Sequence, residues 1–364
     1  MHMLTEKMAN EIVVETSLRL RLNINIMNTD GIIIAALDKT RIGFVHKGAI
    51  EVLKTGRTLV ITSNENWEGA QPGVNLPIVF MDQIIGAIGV TGDPEKVESI
   101  GELVKMTTEL MIKQEFMDSQ TEWKQRTKEM IIDQLLKNNP AISSLEQNLS
   151  LLGIKFNPPY TSIIVQISER SVPNQKLIQK IEEKLGKKNG IIAFINVNRL
   201  FIALYGIDVK EIDQKVKDVY VLLKESNLTF RIAYSLAFDE LDQFIKSYND
   251  CEITLEISAT ETDFASFAQI EAKSLIFQVD KTVSDRFSHR ILNKLDANQA
   301  KTLDSFFAND LNIQKTADDL YLHRNTLIYR LNKIIEETGY NPKRFKDAVI
   351  LQVALWIYQK TQKK

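Results

Sequence analysis

The stretch Asn312 to Gly339, NIQKTADDLYLHRNTLIYRLNKIIEETG, constrains this chain more than any other. Ile313, Ala317 and Leu320 recur at helical spacing and predict a helix from about Ile313 to Leu320. Asn312 stands where a side-chain oxygen can cap the free amides of its first turn. Tyr321-Leu322-His323 has room only for a turn, with Leu322 plugging the angle. A second helix then runs to Glu337 or Thr338, and Gly339 stops it. On that helix Leu327, Leu331, Ile334 and Ile335 form one apolar arc. Asn325, Tyr329 and Lys333 lie opposite, Thr326 and Arg330 on the flank, and His323 and Arg324 at the N-terminal end. A helix that buries one stripe and offers these groups on the other fits the major groove of double-stranded DNA. Arginine suits guanine, asparagine suits adenine, and hydroxyls and lysine suit phosphate. The alternative is a surface hairpin with a solvated polar face.

Charge is distributed in keeping with the first reading. From Asn312 onward ten basic residues stand against five acidic ones, so this end carries +5 within a chain of net charge −2. A basic end on an acidic body suits a local nucleic-acid footprint. At 364 residues the chain is too long for one ordinary core. Its one cysteine, Cys251, excludes an intramolecular disulfide and a cysteine zinc cluster. No secretory leader is evident, and Asp82 and Gln83 interrupt the most apolar stretch, so a cytoplasmic location without a membrane span is expected. Met1-His2 precedes a second candidate start at Met3.

The N-terminal third predicts a small antiparallel sheet with helices on one side, an architecture of the PAS-like sensory kind. Leu4 to Leu22 reads as a helix with a break near Thr16-Ser17. Asn23 to Met27 and Ile32 to Ala36 form a hairpin around Asp30-Gly31. A short helix over Phe44 to Leu53 follows, then strands over Thr58 to Thr62, Leu76 to Phe80 and Ile84 to Val90. Two clusters here have chemical potential. RIGFVHKGA offers Arg41, His46 and Gly48 near a helix start, a setting able to hold a carboxylate. GVNLPI offers Gly73 for close backbone approach and Asn75 as donor and acceptor for a hydroxyl. The competing reading is surface charge, a buried satisfied His46 and turn residues.

A long helix is predicted from about Glu95 to Asn138. Leu103, Thr107, Leu110, Gln114 and Met117 form a seam at 3-4 spacing that suits a dimer, although packing on its own domain is the alternative. After Asn157-Pro158-Pro159 the expected order is strand Tyr160 to Ile167, helix Gln175 to Leu185 and paired strands Ile191 to Ile195 and Leu200 to Tyr205. Helix Val209 to Ser226, strand Thr229 to Ser235, helix Leu241 to Glu256 and strand Ser274 to Val279 complete an α/β sandwich. Helices over Phe287 to Leu295 and Gln299 to Phe307 lead into the hairpin. A last helix after Asn341-Pro342-Lys343-Arg344-Phe345, bearing Ala348, Leu351, Val353, Leu355 and Trp356, is expected to cover the hairpin's apolar back. Lys343, Arg344 and Lys346 suit backbone phosphate or plain solvent.

No P-loop, zinc motif or nucleophile elbow occurs, and the four histidines have no metal-ligand spacing. No catalytic residue, metal or cofactor is therefore expected.

Family resemblance sharpens these readings. HRNTLIYRLNKIIEETG resembles the C-terminal helix-turn-helix of the purine-catabolism regulator family, which implies operator reading as a dimer. The blocks LTEKMANEIV, NINIMNTDGIIIA, RIGFVHKGA, GVNLPI, IIGAIGVTGDP and ELVKMTTELM are similar to the sugar-diacid recognition domain of carbohydrate diacid regulators, over about residues 4 to 135. That implies a glucarate, galactarate or glycerate-type ligand. Lys47 stands where the family has an acidic residue. The middle region is similar to a degenerate nucleotide-cyclase-like (GGDEF-related) domain. Its paired strands are joined by Asn196-Val197-Asn198-Arg199, without the glycine or acid that metal and triphosphate need, so no cyclase activity is expected. The expected whole is an α+β multidomain chain: a PAS-like sensor with its signalling helix over 3–135, the degenerate domain over 140–282 and an all-α helix-turn-helix domain over 285–364. A purine breakdown product as ligand, or a nucleotide-processing enzyme with a DNA module, are the alternatives.

Overall fold

Thr5 opens the first helix, α1 (Glu6–Leu20), by accepting from the Met8 amide. The helix is unbroken where a break was expected, and the Thr16 hydroxyl is absorbed within it by donating to the Ile12 carbonyl one turn back. The computed structural model describes residues 4–62, 71–169, 172–186, 189–258 and 262–362. Met1, His2 and Met3, and the Lys363-Lys364 end, lie outside them. The chain divides into two units, Met1–Lys124 and Gln125–Lys364.

In the first unit, β1 (Asn23–Met27) and β2 (Ile33–Ala36) form the expected hairpin. The Asn28 side chain closes its turn by accepting from the Asp30 and Ile32 amides, 3.0 Å each. The next helix, α2 (Lys47–Thr55), starts three residues later than expected, because His46 supplies the cap. Strands β3 (Leu59–Ile61), β4 (Gly73–Phe80) and β5 (Gln83–Thr91) complete a sheet of order β2-β1-β5-β4-β3. The GVNLPI cluster is therefore strand, not turn.

Strand alternation gives this sheet two unlike faces. One carries Ile24, Ile26, Leu76, Ile78, Ile88 and Val90 and is covered by α1 and by Val97, Val104 and Ile112 of α3 (Pro94–Leu135). The other carries Met27, Ala36 and Ala87 and is covered by Ala49 and Val52 of α2. Helices thus lie on both faces, not on one. Two hydrophobic sets on alternate residues of the same strands leave no other arrangement.

The division between units falls within α3. The seam residues Leu103, Thr107, Leu110, Gln114 and Met117 are all exposed within their unit. Val97, Gly101, Val104, Thr108 and Ile112 do the packing there, so seam and packing face are different sides of one helix.

The second unit begins with the end of α3 and a helix not foreseen, α4 (Ile142–Leu151). Then follow β6 (Tyr160–Glu169), α5 (Asn174–Leu185), β7 (Gly190–Asn196), β8 (Arg199–Tyr205), α6 (Val209–Glu225), β9 (Thr229–Tyr234) and α7 (Phe244–Ile257). The expected strand at Ser274 to Val279 is instead helical, within α8 (Phe267–Phe277). The fifth strand is β10 (Phe264–Ser266), parallel to β9. A capping box explains the difference. The Ser266 side chain receives the helix amide while Gln269 Oε1 accepts from the Ser266 amide, committing the following apolar run to a helix. The sheet order is β10-β9-β6-β8-β7. Leu177, Ile181, Val216 and Val219 of α5 and α6 pack on one face. Ile131, Leu145, Phe244 and Cys251, from α3, α4 and α7, pack on the other.

Five helices end the chain: α9 (Lys281–Leu292), α10 (Ala297–Ala308), α11 (Ile313–Asp319), α12 (Arg324–Thr338) and α13 (Phe345–Gln362). Leu303 and Phe306 of α10, Ala317 of α11, and Leu327, Leu331 and Ile334 of α12 share one core with Leu351, Ala354 and Leu355 of α13. The back of α12 rests mainly on α10 and α11, and α13 runs chiefly along α9. Val353 and Trp356 are only half-buried, so Ala354 takes the core place expected of them.

Candidate ligand site and nucleic-acid interface

His46 caps α2 with its ring: Nδ1 accepts from the Ala49 amide at 3.1 Å. That bond fixes the neutral tautomer with its proton on Nε2. The residue is buried, and burial together with the Arg41 guanidinium pulls its pKa down to about 4. His46 is thus a neutral polar group at physiological pH. A Cβ on Gly48 would stand 3.2 Å from His46 Cε1 and 3.2 Å from Asn75 Nδ2. Three of the expected residues, His46, Gly48 and Asn75, are therefore gathered where α2 meets the sheet. Arg41 ends the 3-10 turn Lys39–Arg41 and is near enough for its charge to act on His46. Gly73 has a different role. A Cβ there would fall 2.1 Å from the Val90 carbonyl oxygen, so the close approach is between β4 and β5.

The sheet adds residues that sequence reasoning missed. Register across β1, β5 and β4 places Asn25, Gly89 and Asn75 side by side, with Ala36 and Leu59 at the ends of the row. Asn25 and Asn75 are 2% and 3% exposed. Their Oδ1 atoms are buried without a hydrogen-bond partner among the described residues, as is Oδ1 of Asn23, two residues earlier on β1. A buried amide oxygen left so costs about 1–3 kcal/mol, and Asn23, Asn25 and Asn75 all point to the face covered by α2. The one sequence signal was the alternation in Asn-Ile-Asn-Ile-Met, which puts both asparagines on one side of a strand.

At the other end of the chain, α12 has the expected two faces. His323 is its N-cap, Nδ1 accepting from the Asn325 amide at 3.2 Å, and Gly339 ends it in the left-handed region. His323, Arg324, Asn325, Thr326, Tyr329 and Lys333 are exposed, with Lys333 3.8 Å from Glu337. Arg330 is not presented in the same way: half-buried, it donates to Thr302 Oγ1 of α10 at 3.4 Å. A further group joins the exposed set. Tyr321 stands in the turn between α11 and α12 in the left-handed region at φ 53° and is 96% exposed. Periodicity gave no sign of it, since it belongs to neither helix. Lys343, Arg344, Phe345 and Lys346 are exposed at the start of α13.

Family comparisons match these parts separately. A sugar diacid recognition domain model matches residues 4–135, a GGDEF-like domain model residues 137–257, and the PucR C-terminal helix-turn-helix model residues 299–357. The chain is 28% identical to the carbohydrate diacid regulator of Escherichia coli K12, covering 97% of each chain. It is 26% identical to the uncharacterized protein YsfB of Bacillus subtilis, covering 98% of each. A solved regulator of polyketide synthase expression from Bifidobacterium adolescentis is 17% identical with a TM-score of 0.33, over 65% of this chain and 94% of that one. The chain thus joins a sugar diacid recognition domain at one end to a PucR-type helix-turn-helix at the other, and over its length it is similar to a carbohydrate diacid regulator.

Proposed function

We propose that this protein is a cytoplasmic, ligand-responsive regulator of genes for sugar-diacid or hydroxy-acid use, with glucarate, galactarate or a glycerate-type acid as its signal. Three domains divide the work: a PAS-like sensor with its signalling helix over 3–135, a degenerate GGDEF-like relay over 140–282 and a DNA-binding domain over 285–364. The observation that carries the reading is the buried polar cluster under α2, with His46, Asn25 and Asn75 on an otherwise apolar face. Arg41 and Lys47 suit an acid, Gly48 leaves room beside His46 and Asn75, and Gly73 serves the close approach of β4 and β5.

Ligand binding shifts α3, and the shift changes how paired helix-turn-helix units sit on operator half-sites about one duplex turn apart, or a multiple of it. His323, Arg324, Asn325, Thr326, Tyr329 and Lys333 meet the DNA, with Arg330 bracing them from behind. The exposed seam of Leu103, Leu110 and Met117 supports pairing with a second copy through α3.

A non-catalytic middle domain is supported by its turn at Asn196 to Arg199. Arg199 is paired with Glu252 and donates to the Tyr248 hydroxyl at 3.4 Å, so the local acid serves a structural ion pair. The test is a thermal-shift screen of the full chain against glucarate, galactarate, glycerate and allantoin, followed by binding to its own promoter fragment. A ligand selective for the native state raises the melting temperature. A response to allantoin alone would favour a purine breakdown product, and no promoter binding at low salt would remove the regulator reading.

A further inference from the structure

We propose that Asn25 and Asn75 read hydroxyl groups of the ligand, so that the site selects a polyhydroxylated acid over an unsubstituted diacid of equal length and charge. The inference rests on the sensor reading given above and specifies what the site recognises.

Asn25 and Asn75 lie on either side of Gly89 in one row of the sheet. A Cβ on Gly89 would stand 2.8 Å from Asn75 Oδ1 and 3.6 Å from Met27 Cε, so glycine is what lets the Asn75 amide oxygen lean over the middle strand on the α2 side. Met27, Ala36, Ala87 and Leu59 around the row cannot donate a hydrogen bond, and His46, the nearby donor, makes none to either Oδ1. The two Oδ1 atoms have no protein donor among the described residues. They are acceptors, so what satisfies them must bring an O–H or N–H. A carboxylate at neutral pH brings neither. The carboxylate falls instead to Arg41, at the end of the 3-10 turn, and to Lys47, the first residue of α2. Two such acceptors in one row of the sheet, on the strands either side of Gly89, suit a carbon chain that carries more than one hydroxyl. A buried site built to bond a hydroxyl rejects the analogue lacking it far more strongly than an apolar pocket rejects a missing methylene.

The experiment is isothermal titration of the full chain at neutral pH with glucarate and galactarate, with adipate (the same six-carbon diacid without hydroxyls), with glucitol (hydroxyls without carboxylates) and with allantoin. Glucarate or galactarate is expected to bind, with adipate weaker by about 100-fold and glucitol weaker still. Adipate within about tenfold of the better hydroxy-diacid overturns the hydroxyl assignment while leaving acid sensing intact. Binding of allantoin and of no acid overturns the sensor reading itself. Asn25→Leu and Asn75→Leu keep the volume and remove the acceptor. Each is expected to bring the ratio of the better hydroxy-diacid to adipate down at least tenfold without lowering the melting temperature of the unliganded chain. A folded variant with the wild-type ratio overturns the proposal, and if neither variant folds, the wild-type ratio alone decides.

Discussion

Arg330 on the recognition helix donates to the buried hydroxyl of Thr302 on α10, 3.4 Å away, while Arg324 one and two-thirds turns earlier is exposed. Two arginines of one helix are thus given different work. Arg324→Ala is expected to cost about 1–3 kcal/mol of operator binding and to relax preference at one base position. Arg330→Ala is expected to lower the stability of the helix-turn-helix domain by about 1 kcal/mol and to weaken binding evenly across sequences. Anisotropy titrations with single-base operator variants, beside thermal melts, separate the two. An unchanged melting temperature with altered base preference for Arg330→Ala would reverse the assignment.

His46 makes the sensor acid-sensitive. Its folded pKa, about 4, lies below the ordinary histidine value of 6.5, because burial and Arg41 disfavour the cation. The unfolded chain therefore takes up the proton first. The stability this neutral group contributes is complete above about pH 6.5 and is lost as pH falls toward 4, by about 3 kcal/mol in all. His46→Gln is expected to flatten that part of the stability profile. Denaturant melts from pH 7.5 to 4 check it, and an equally steep fall in the variant would place the sensitivity elsewhere.

Arg41→Ala is expected to abolish the ligand-induced rise in melting temperature while leaving operator binding as it was. The residue ends a 3-10 turn and is half-buried, so a melt of the unliganded variant accompanies the titration. Titration of the variant with glucarate is the measurement. Wild-type affinity would take Arg41 out of the site.

Leu110 occupies the middle of the α3 seam and is exposed within its unit. Leu110→Glu is expected to shift the chain from dimer toward monomer in sedimentation equilibrium, since a charge facing its own copy removes the apolar contact and adds repulsion. Val104→Glu, on the packing face, should instead unfold the sensor. A Leu110→Glu chain still fully dimeric would move the interface away from α3.

Parts of this protein were legible one residue at a time. Asn312, Gly339 and the 3-4 spacing between them set α11 and α12 because caps and helical periodicity act over a few residues. The β1–β2 hairpin was legible for the same reason, its turn being closed by Asn28 and Gly31. The run around Ser274 was not, since a short apolar segment suits a strand or a helix equally. Its fate turned on a cap at Ser266 and on which segment lay beside β9.

Most of the helices and strands, the two-faced helix at the end and the basic charge around it were determined by sequence alone, through spacing and local caps, but α4, β10 and α8 were not. Only tertiary structure put Asn25 of β1 beside Asn75 of β4, fifty positions apart, with β5 and its Gly89 between them. It alone turned Arg330 inward and Tyr321 outward. The physical reason is the same in each case: hydrogen-bond satisfaction and burial belong to neighbours in space, and adjacency between strands or helices is chosen by the whole core rather than by the residues on either side.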